Sequence, residues 1–354
     1  MRSIVELYLN PSTSWPLIAA AIIIVTLLHS SFAACLPIGT GQTVVVYTSL
    51  DQPFSEPIME DFKQLTGINV NAVYDVEAAK TTGLVNRLIA ERNRPRADVF
   101  WSSEYAQTLI LKSQGILAPY QSPSASDIPQ QYRDMGYYWT GFAARARVII
   151  VNTKLVPAVF YPKTIFDLLD AYWGPGEVGI ANPLSGTTAT HAAALFVSPG
   201  PDKAKAFFEG LLARNVRVVA GNSVVRDMVV SGELKVGLTD TDDAYIAIAK
   251  GDPVELIFPD QTGLGTLLIP NTISLINGAP NLQAAKRFID FVLSREVEAK
   301  LARYASGQMP VREDVNVPAG FRQINSILWM KVRMTDVAGQ MPASSAWLKE
   351  VFLR

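Results

Sequence analysis

Residues 236–248 read VGLTDTDDAYIAI. The apolar run Val236-Gly237-Leu238 predicts a short buried strand; Asp240, Asp242 and Asp243 follow at once, and residues 244–249 predict the start of a helix. The carboxylates thus fall on a strand-to-helix turn. In an open α/β sheet such turns, at the carboxyl ends of strands, are where ligands bind, because helix N-termini and backbone N–H groups point into the crevice there. One aspartate ahead of a helix serves as its N-cap, and three exceed that need. Like charges this close repel unless water, a cation or hydrogen-bond donors separate them, so at least one of the three is expected to meet a ligand.

With 354 residues, 49% of them hydrophobic, the chain can bury a sizeable core and has room for two domains or one large one. Charged residues make up 18% and the formal net charge is -1, which leaves no polybasic footprint for nucleic acid or anionic lipid. The single cysteine, Cys35, excludes an internal disulfide framework and any multi-cysteine metal site. His29 and His191 are the whole histidine complement, which excludes a histidine-rich zinc site. The chain has no internal repeat, no low-complexity tract and no second apolar stretch long enough for a membrane.

Near the start, WPLIAAAIIIVTLL (15–28) is followed by Ser30, Ser31, Ala33, Ala34 and Cys35. The run falls short of the ~20 residues that span a bilayer and matches the h-region of a secretory signal, so residues 1–34 are expected to be an export signal. Arg2 is offset by Glu6, a weak n-region that keeps an uncleaved anchor as the alternative. Phe32-Ala33-Ala34-Cys35 resembles a bacterial lipobox, with phenylalanine where leucine is usual; it implies lipidation of Cys35, against an ordinary cut after Ala33 or Ala34.

From residue 44 the pattern is strand, helix, strand: 44–47, then Ile58, Met59, Phe62 and Leu65 at helical spacing with Gly67 as the stop, then 68–74. Thr48, Ser49 and Asp51 lie on the first turn, where helix capping is the competing reading for each. A helix over 82–93 and a strand over 97–101 lead into Ser102, Ser103 and Glu104. Farther on, 143–152 and 266–276 read as apolar strands, 164–173 as a helix, and 178–181 as a strand before a helix over 189–196 opened by Gly186, Thr187 and Thr188. His191, alone among alanines, reads first as a packed core residue. Asn222 and Ser223 stand on one more polar turn, 282–306 reads as one helix ended by Gly307, and 321–353 as helix interrupted near Pro342.

In chain order, VVVYTSLDQ, RPRADVFWSSE, GFAARARVIIVNT, ANPLSGTTATHAAAL, VAGNSVVRDMVVSGELKVGLTDTDD, TLLIPNTISLINGAPNLQAAKRFIDFVLS and GQMPVRED resemble the bacterial extracellular solute-binding proteins of ABC importers, nearest to the ferric-iron-binding branch. The resemblance implies an α/β, two-lobed periplasmic-binding-protein fold of type II, with the ligand cleft between lobes. It implies one lobe from 42–143 plus 266–306 and the other from 144–265 plus 307–354. Phrase laid on phrase, Asp51 stands at the branch's first metal position, Ser103 or Glu104 at the second, and Asp242 and Asp243 where the branch has adjacent tyrosines. Arg145 falls where the family keeps an arginine near the accompanying anion.

The expected ligand-binding set is therefore Thr48, Ser49, Asp51, Ser102, Ser103, Glu104, Arg145, Asn222, Ser223, Asp242 and Asp243, with Asp51, Glu104, Asp242 and Asp243 as metal ligands. Carboxylates are hard donors that serve Ca²⁺, Mg²⁺ or Mn²⁺ as readily as iron. The resulting expectation is a monomeric carrier with no cofactor, holding Fe³⁺ or another oxygen-ligated metal ion as cargo for a membrane permease, with a small organic ion as the alternative. Two other classes stay open. Asp240-Thr241-Asp242 is a DxD string of the kind that holds a metal in glycosyl transfer, although no nucleophile and base pair stands beside it, and a ligand-sensing receptor module is the other.

Overall fold

The computed structural model describes residues 42–75 and 81–353. The export segment and Cys35 lie outside the described residues. Among the described residues no helix is long and apolar enough to cross a membrane.

The first part of the chain builds strands β1 (Thr43–Thr48), β2 (Asn69–Tyr74) and β3 (Val99–Ser102), connected by helices α1 (Gln52–Thr66) and α2 (Thr82–Ala90). β1 pairs in parallel with both β2 and β3, the arrangement that helical crossovers produce. Helix α1 ends where Gly67 takes a left-handed φ of 72° and donates to Lys63 O, the glycine stop read from the sequence. Helix α3 (Ala106–Ser113) and strand β4 (Leu117–Ala118) follow.

Strand β5 (Thr140–Asn152) is buried along its whole length. Its first half, from Thr140 to Ala146, pairs antiparallel with β10 (Leu268–Ile276); from Arg147 on it pairs antiparallel with β8 (Val236–Asp240), and farther along with β9 (Val254–Ile257) as well. One strand therefore crosses from the β1–β2–β3–β10 group to the second group. There β8 pairs in parallel with β6 (Val178–Ala181), and β6 with β7 (Arg217–Val219). Helices α4 (Gly186–Val197), α5 (Pro201–Ala213), α6 (Asn222–Ser231) and α7 (Thr241–Ala249) connect these strands. After β10 come α8 (Leu282–Val292), α9 (Arg295–Arg303) and α10 (Met334–Phe352).

Alternation along β5 shows why it has no polar face: Ile149 and Val151 enter one core with residues of α4, α5 and α10, while Val148 and Ile150 enter another with residues of α6 and α7. In the first group Val44 and Val46 pack with Phe62 and Phe288, and Tyr47 faces the opposite way with Leu84 and Leu88.

Three element readings are corrected. Residues 164–173 hold only a 3-10 turn, Ile165–Leu169; a capping box between Thr164 and Asp167 opens it, and Asp167 O, which a longer helix would use as an acceptor, takes the Trp173 indole N–H at 2.8 Å instead. The expected single helix over 282–306 is two, α8 and α9, since Ser294 Oγ accepts from Val297 N and starts a new helix. Helix α10 begins at Met334 rather than near 321 because the preceding chain is tied to Thr266, which donates to Leu328 O and accepts from Met330 N. It carries Pro342 inside it without ending there. α3, α5, β7 and β9 have no counterpart in the sequence reading.

Candidate functional site

Asp240 ends β8 as the residue before α7, yet its carboxylate does not cap the helix. It instead meets Arg147, directly across the ladder on β5: Arg147 Nη1 donates to Asp240 Oδ1 at 2.6 Å, and both side chains are nearly fully buried. Its other oxygen accepts from Thr187 Oγ1 at 2.6 Å and Asn222 Nδ2 at 3.0 Å. These partners come from the first turns of α4 and α6, so the Asp240–Arg147 pair fastens two helix starts to the strand end.

Asp242 and Asp243 occupy the first turn of α7, where negative charge is favoured by the helix dipole. Arg145 Nη1 lies 3.0 Å from Asp242 Oδ2, with both side chains buried, and Arg226 Nη1 lies 3.1 Å from Asp243 Oδ1. A carboxylate oxygen from each of Asp240, Asp242 and Asp243 falls within 4.8 Å of the others. Charge crowding, expected from the sequence, is thus relieved by hydrogen-bond donors: each aspartate is matched to its own guanidinium. Burial alone would lower the Arg145 pKa, but Asp242, Asp240, Asp51 and Asp243 together raise it above its ordinary value.

These groups border a cavity of about 20 Å³, room for an ion or one water-sized group. Its wall includes Asp51 and Ser103 from the turns after β1 and β3, Arg145 from β5, residues 185–188 at the start of α4, residues 220–222 at the start of α6, and Asp240, Asp242 and Asp243. Three helix N-termini therefore converge there, each from a helix of nine residues or more. The capping alternatives fail where they can be read: Asp51 and Asp240 precede α1 and α7 without a side-chain cap bond, and Thr187 spends its hydroxyl on Asp240.

Of the residues expected to touch ligand, Asp51, Ser103, Arg145, Asn222, Asp242 and Asp243 border this cavity. The others stand behind or beside it. Thr48 Oγ1 accepts from Leu50 N, Ser102 Oγ accepts from Glu104 N, and Ser49 Oγ accepts from Ser103 N at 2.9 Å, holding the second turn against the first. Ser223 lies in the first turn of α6, outside the cavity wall.

Glu104 is the main departure. Its carboxylate caps α3, accepting from Ala106 N at 2.6 Å and Gln107 N at 2.9 Å, and also accepts from Thr190 Oγ1 of α4 at 2.8 Å. Burial raises its pKa to about 7, against the pull of those three donors toward the ionised form. It is a bridge between α3 and α4 and not part of the cavity wall. Tyr245, two positions beyond the aspartates, is turned away: its hydroxyl accepts from Arg322 N and its ring packs on Phe321. His191 is buried in α4, and desolvation, helped by Arg147, pushes its pKa well below the ordinary value.

Arg147 and Arg226 complete the site and were not among the expected ligand residues, while Thr187, read from the sequence only as part of a helix opening, joins it through Asp240. Arg147 carried a signal: it faces Asp240 once β5 and β8 are paired antiparallel, a register visible only after the fold is built.

Comparison with known proteins agrees with this architecture. Iron uptake protein A1 of Synechocystis sp. is 29% identical over 278 residues, which cover 75% of this chain and 75% of that protein. A putative 2-aminoethylphosphonate-binding periplasmic protein of Salmonella typhimurium is 27% identical over 305 residues, 81% of this chain and 85% of that one. Iron-bound HitA from Pseudomonas aeruginosa superposes with a TM-score of 0.78 at 22% identity, over 87% of this chain and 99% of that chain, and the likeness shows the type II periplasmic-binding-protein fold. The family model for bacterial extracellular solute-binding proteins matches residues 58–323, and the chain belongs to that family.

Proposed function

We propose that the protein is the solute-binding component of an ABC importer and that the cavity at Asp242 and Asp243 takes its cargo, an oxygen-ligated metal ion with ferric iron first. The observation that carries this reading is that Asp242 and Asp243 bring carboxylate oxygens within 4.8 Å of each other beside a cavity sized for an ion, whose wall also includes Asp51. The iron named for the Synechocystis relative supports the same cargo. Residues 42–143 with 266–306 form one lobe in this reading and 144–265 with 307–354 the other. A membrane permease receives the cargo, and the mature protein is a monomer held at the periplasmic or outer face of the cell membrane through Cys35. Cys35→Ser should shift it from the membrane to the soluble fraction.

A second reading rests on the arginines. Asp51, Asp240, Asp242 and Asp243 face Arg145, Arg147 and Arg226, which leaves one formal negative charge. A single ammonium would balance that charge, whereas a trivalent ion would need an accompanying anion. The N-termini of α4 and α6, which also line the cavity, suit the anionic end of a small zwitterion, and the aminophosphonate named for the Salmonella relative has this chemistry. The DxD enzyme reading finds less support, because Asp240 is committed to Arg147, Thr187 and Asn222.

Native mass spectrometry and elemental analysis of protein purified without added metal, followed by titration with ferric ion and with 2-aminoethylphosphonate, separate the readings. Stoichiometric iron that is lost in the Asp242→Asn, Asp243→Asn double variant supports the first. Saturable binding of the zwitterion with no iron uptake supports the second and overturns the first.

A further inference from the structure

Where β5 crosses between the two strand groups, its register against β10 shifts: Phe142 faces Asn271 and Ala144 faces Pro270, so Ala143 has no partner across the ladder. It is the extra residue of a β-bulge. Ala143 is fully buried with a φ of 42°, a left-handed conformation that costs energy in a residue with a Cβ. Side chains satisfy the backbone groups that the ladder leaves over. Ala143 N donates to Glu298 Oε1 at 3.0 Å, and Ala143 O accepts from Asn271 Nδ2.

Asn271 is fully buried on β10, and every polar atom of its side chain is engaged. Nδ2 also donates to Gln308 Oε1 at 2.8 Å, while Oδ1 accepts from Arg145 Nη2 at 3.1 Å. Two oxygen acceptors on one side and a guanidinium on the other fix the orientation of the amide, since the reverse would set donors against donors. Arg145 in turn reaches Asp242 in the cavity wall with its other terminal nitrogen. Among the described residues its buried Nε has no hydrogen-bond partner, so its directional contacts are these two.

We propose that Asn271 is the positioning residue for the cavity: it holds Arg145 against Asp242 and ties that placement to the bulge at Ala143. This inference rests on the reading of the cavity as the cargo site. Arg145 offsets the Asp242 charge, so the order of its guanidinium sets how strongly the carboxylate is presented to a cation. A change of backbone at the crossing would reach the cavity through one amide.

The test compares Asn271→Ala with Asn271→Asp. Both lose the amide donors to Ala143 and Gln308, but aspartate keeps the acceptor for Arg145. The first readout needs no ligand: solvent exchange of the Arg145 Nε–H by ¹⁵N NMR, with the signal assigned by its loss in Arg145→Lys. Exchange should accelerate at least roughly tenfold in Asn271→Ala and stay near wild type in Asn271→Asp. If the amide served only to brace the bulge, the two variants would behave alike, and that result, or unchanged exchange in Asn271→Ala, overturns the proposal. Asn271→Gln, which displaces the same amide by one methylene, replaces Asn271→Ala if the latter does not fold and should also loosen Arg145. The second readout is affinity for ferric ion and for 2-aminoethylphosphonate, expected to change about tenfold for the probe that binds wild type. Loosened Arg145 with affinity unchanged would overturn the cavity as cargo site and leave the positioning contact standing.

Discussion

Removing one carboxylate from a pair that is already buried leaves a guanidinium in low dielectric without its nearest counter-charge, and this governs what substitutions at Asp242 do. Crowded, unpartnered carboxylates would make Asp242→Asn stabilising. With Arg145 3.0 Å away and both side chains at most 4% exposed, the sign reverses: the variant should lose about 3 to 5 kcal/mol in urea unfolding without ligand. An Asp242→Asn variant as stable as wild type would mean that Arg145 finds another acceptor. Glu104 gives a separate, pH-dependent prediction. Its pKa is near 7 in the folded protein against an ordinary 4.5, so the native state keeps a proton that the unfolded chain has released between those values. Its contribution to stability is present below about pH 4.5 and lost as pH rises to about 7, roughly 3 kcal/mol in all for this fully buried group. Glu104→Gln should flatten the fall of Tm across that window; a slope identical to wild type would assign the pH dependence elsewhere. At this scale the aspartates were legible because they are adjacent in sequence and exceed the needs of capping. Their arginine partners were less so, because Arg147 and Arg226 reach the turn through strand register and helix packing, which no local pattern encodes. Glu104 was misplaced for the same reason: its chemistry suits a cavity, but the first turn of α3 and Thr190 are nearer.

Strands were the most legible elements, since continuous apolar runs such as those in β5 and β10 have few other uses in a chain of this polarity. Errors gathered where tertiary contacts overrule helical periodicity, as at Thr266, whose two bonds to 328–330 keep that segment extended. Glycine use within strands is a further signal. A Cβ on Gly237 of β8 would lie 2.3 Å from Val225 Cγ1, so the strand needs glycine there for α6 to pack closely enough to bring Asn222 to Asp240. Gly237→Ala should cost about 1 to 3 kcal/mol by overpacking and should weaken cargo binding as well, because α6 must move outward with Asn222 at its start. Thermal unfolding with and without cargo checks both parts. Lower stability with unchanged affinity would show that Asn222 does not depend on this contact.

The cavity draws its wall from both strand groups: Asp51 and Ser103 belong to turns of the β1–β2–β3–β10 group, and the aspartate cluster with the α4 and α6 starts belongs to the group beyond Arg147. Strand β5 joins those groups, pairing with β10 before the crossing and with β8 beyond it, and the bulge at Ala143 is set into its ladder with β10. A ladder of this kind bends at its irregularity more readily than along its regular stretches, since the bulge has fewer ladder bonds to break. In the proposed reading cargo is enclosed on all these sides and must enter with the walls apart, so the protein should be more open without cargo than with it. Contacts that span the groups set the cost of opening: the 2.8 Å bond from Thr190 to Glu104 is one, and α10, whose core includes residues of both α3 and α4, is another. Small-angle scattering should therefore show a smaller radius of gyration at saturating cargo than in its absence. Thr190→Val, which removes the hydroxyl while keeping the shape, should enlarge the cargo-free radius or leave it already at the open value, and should raise the dissociation rate of bound cargo several-fold. A radius that does not change on loading would mean that the cavity fills without movement of the walls, and the crossing strand would then be a fixed frame instead of a hinge.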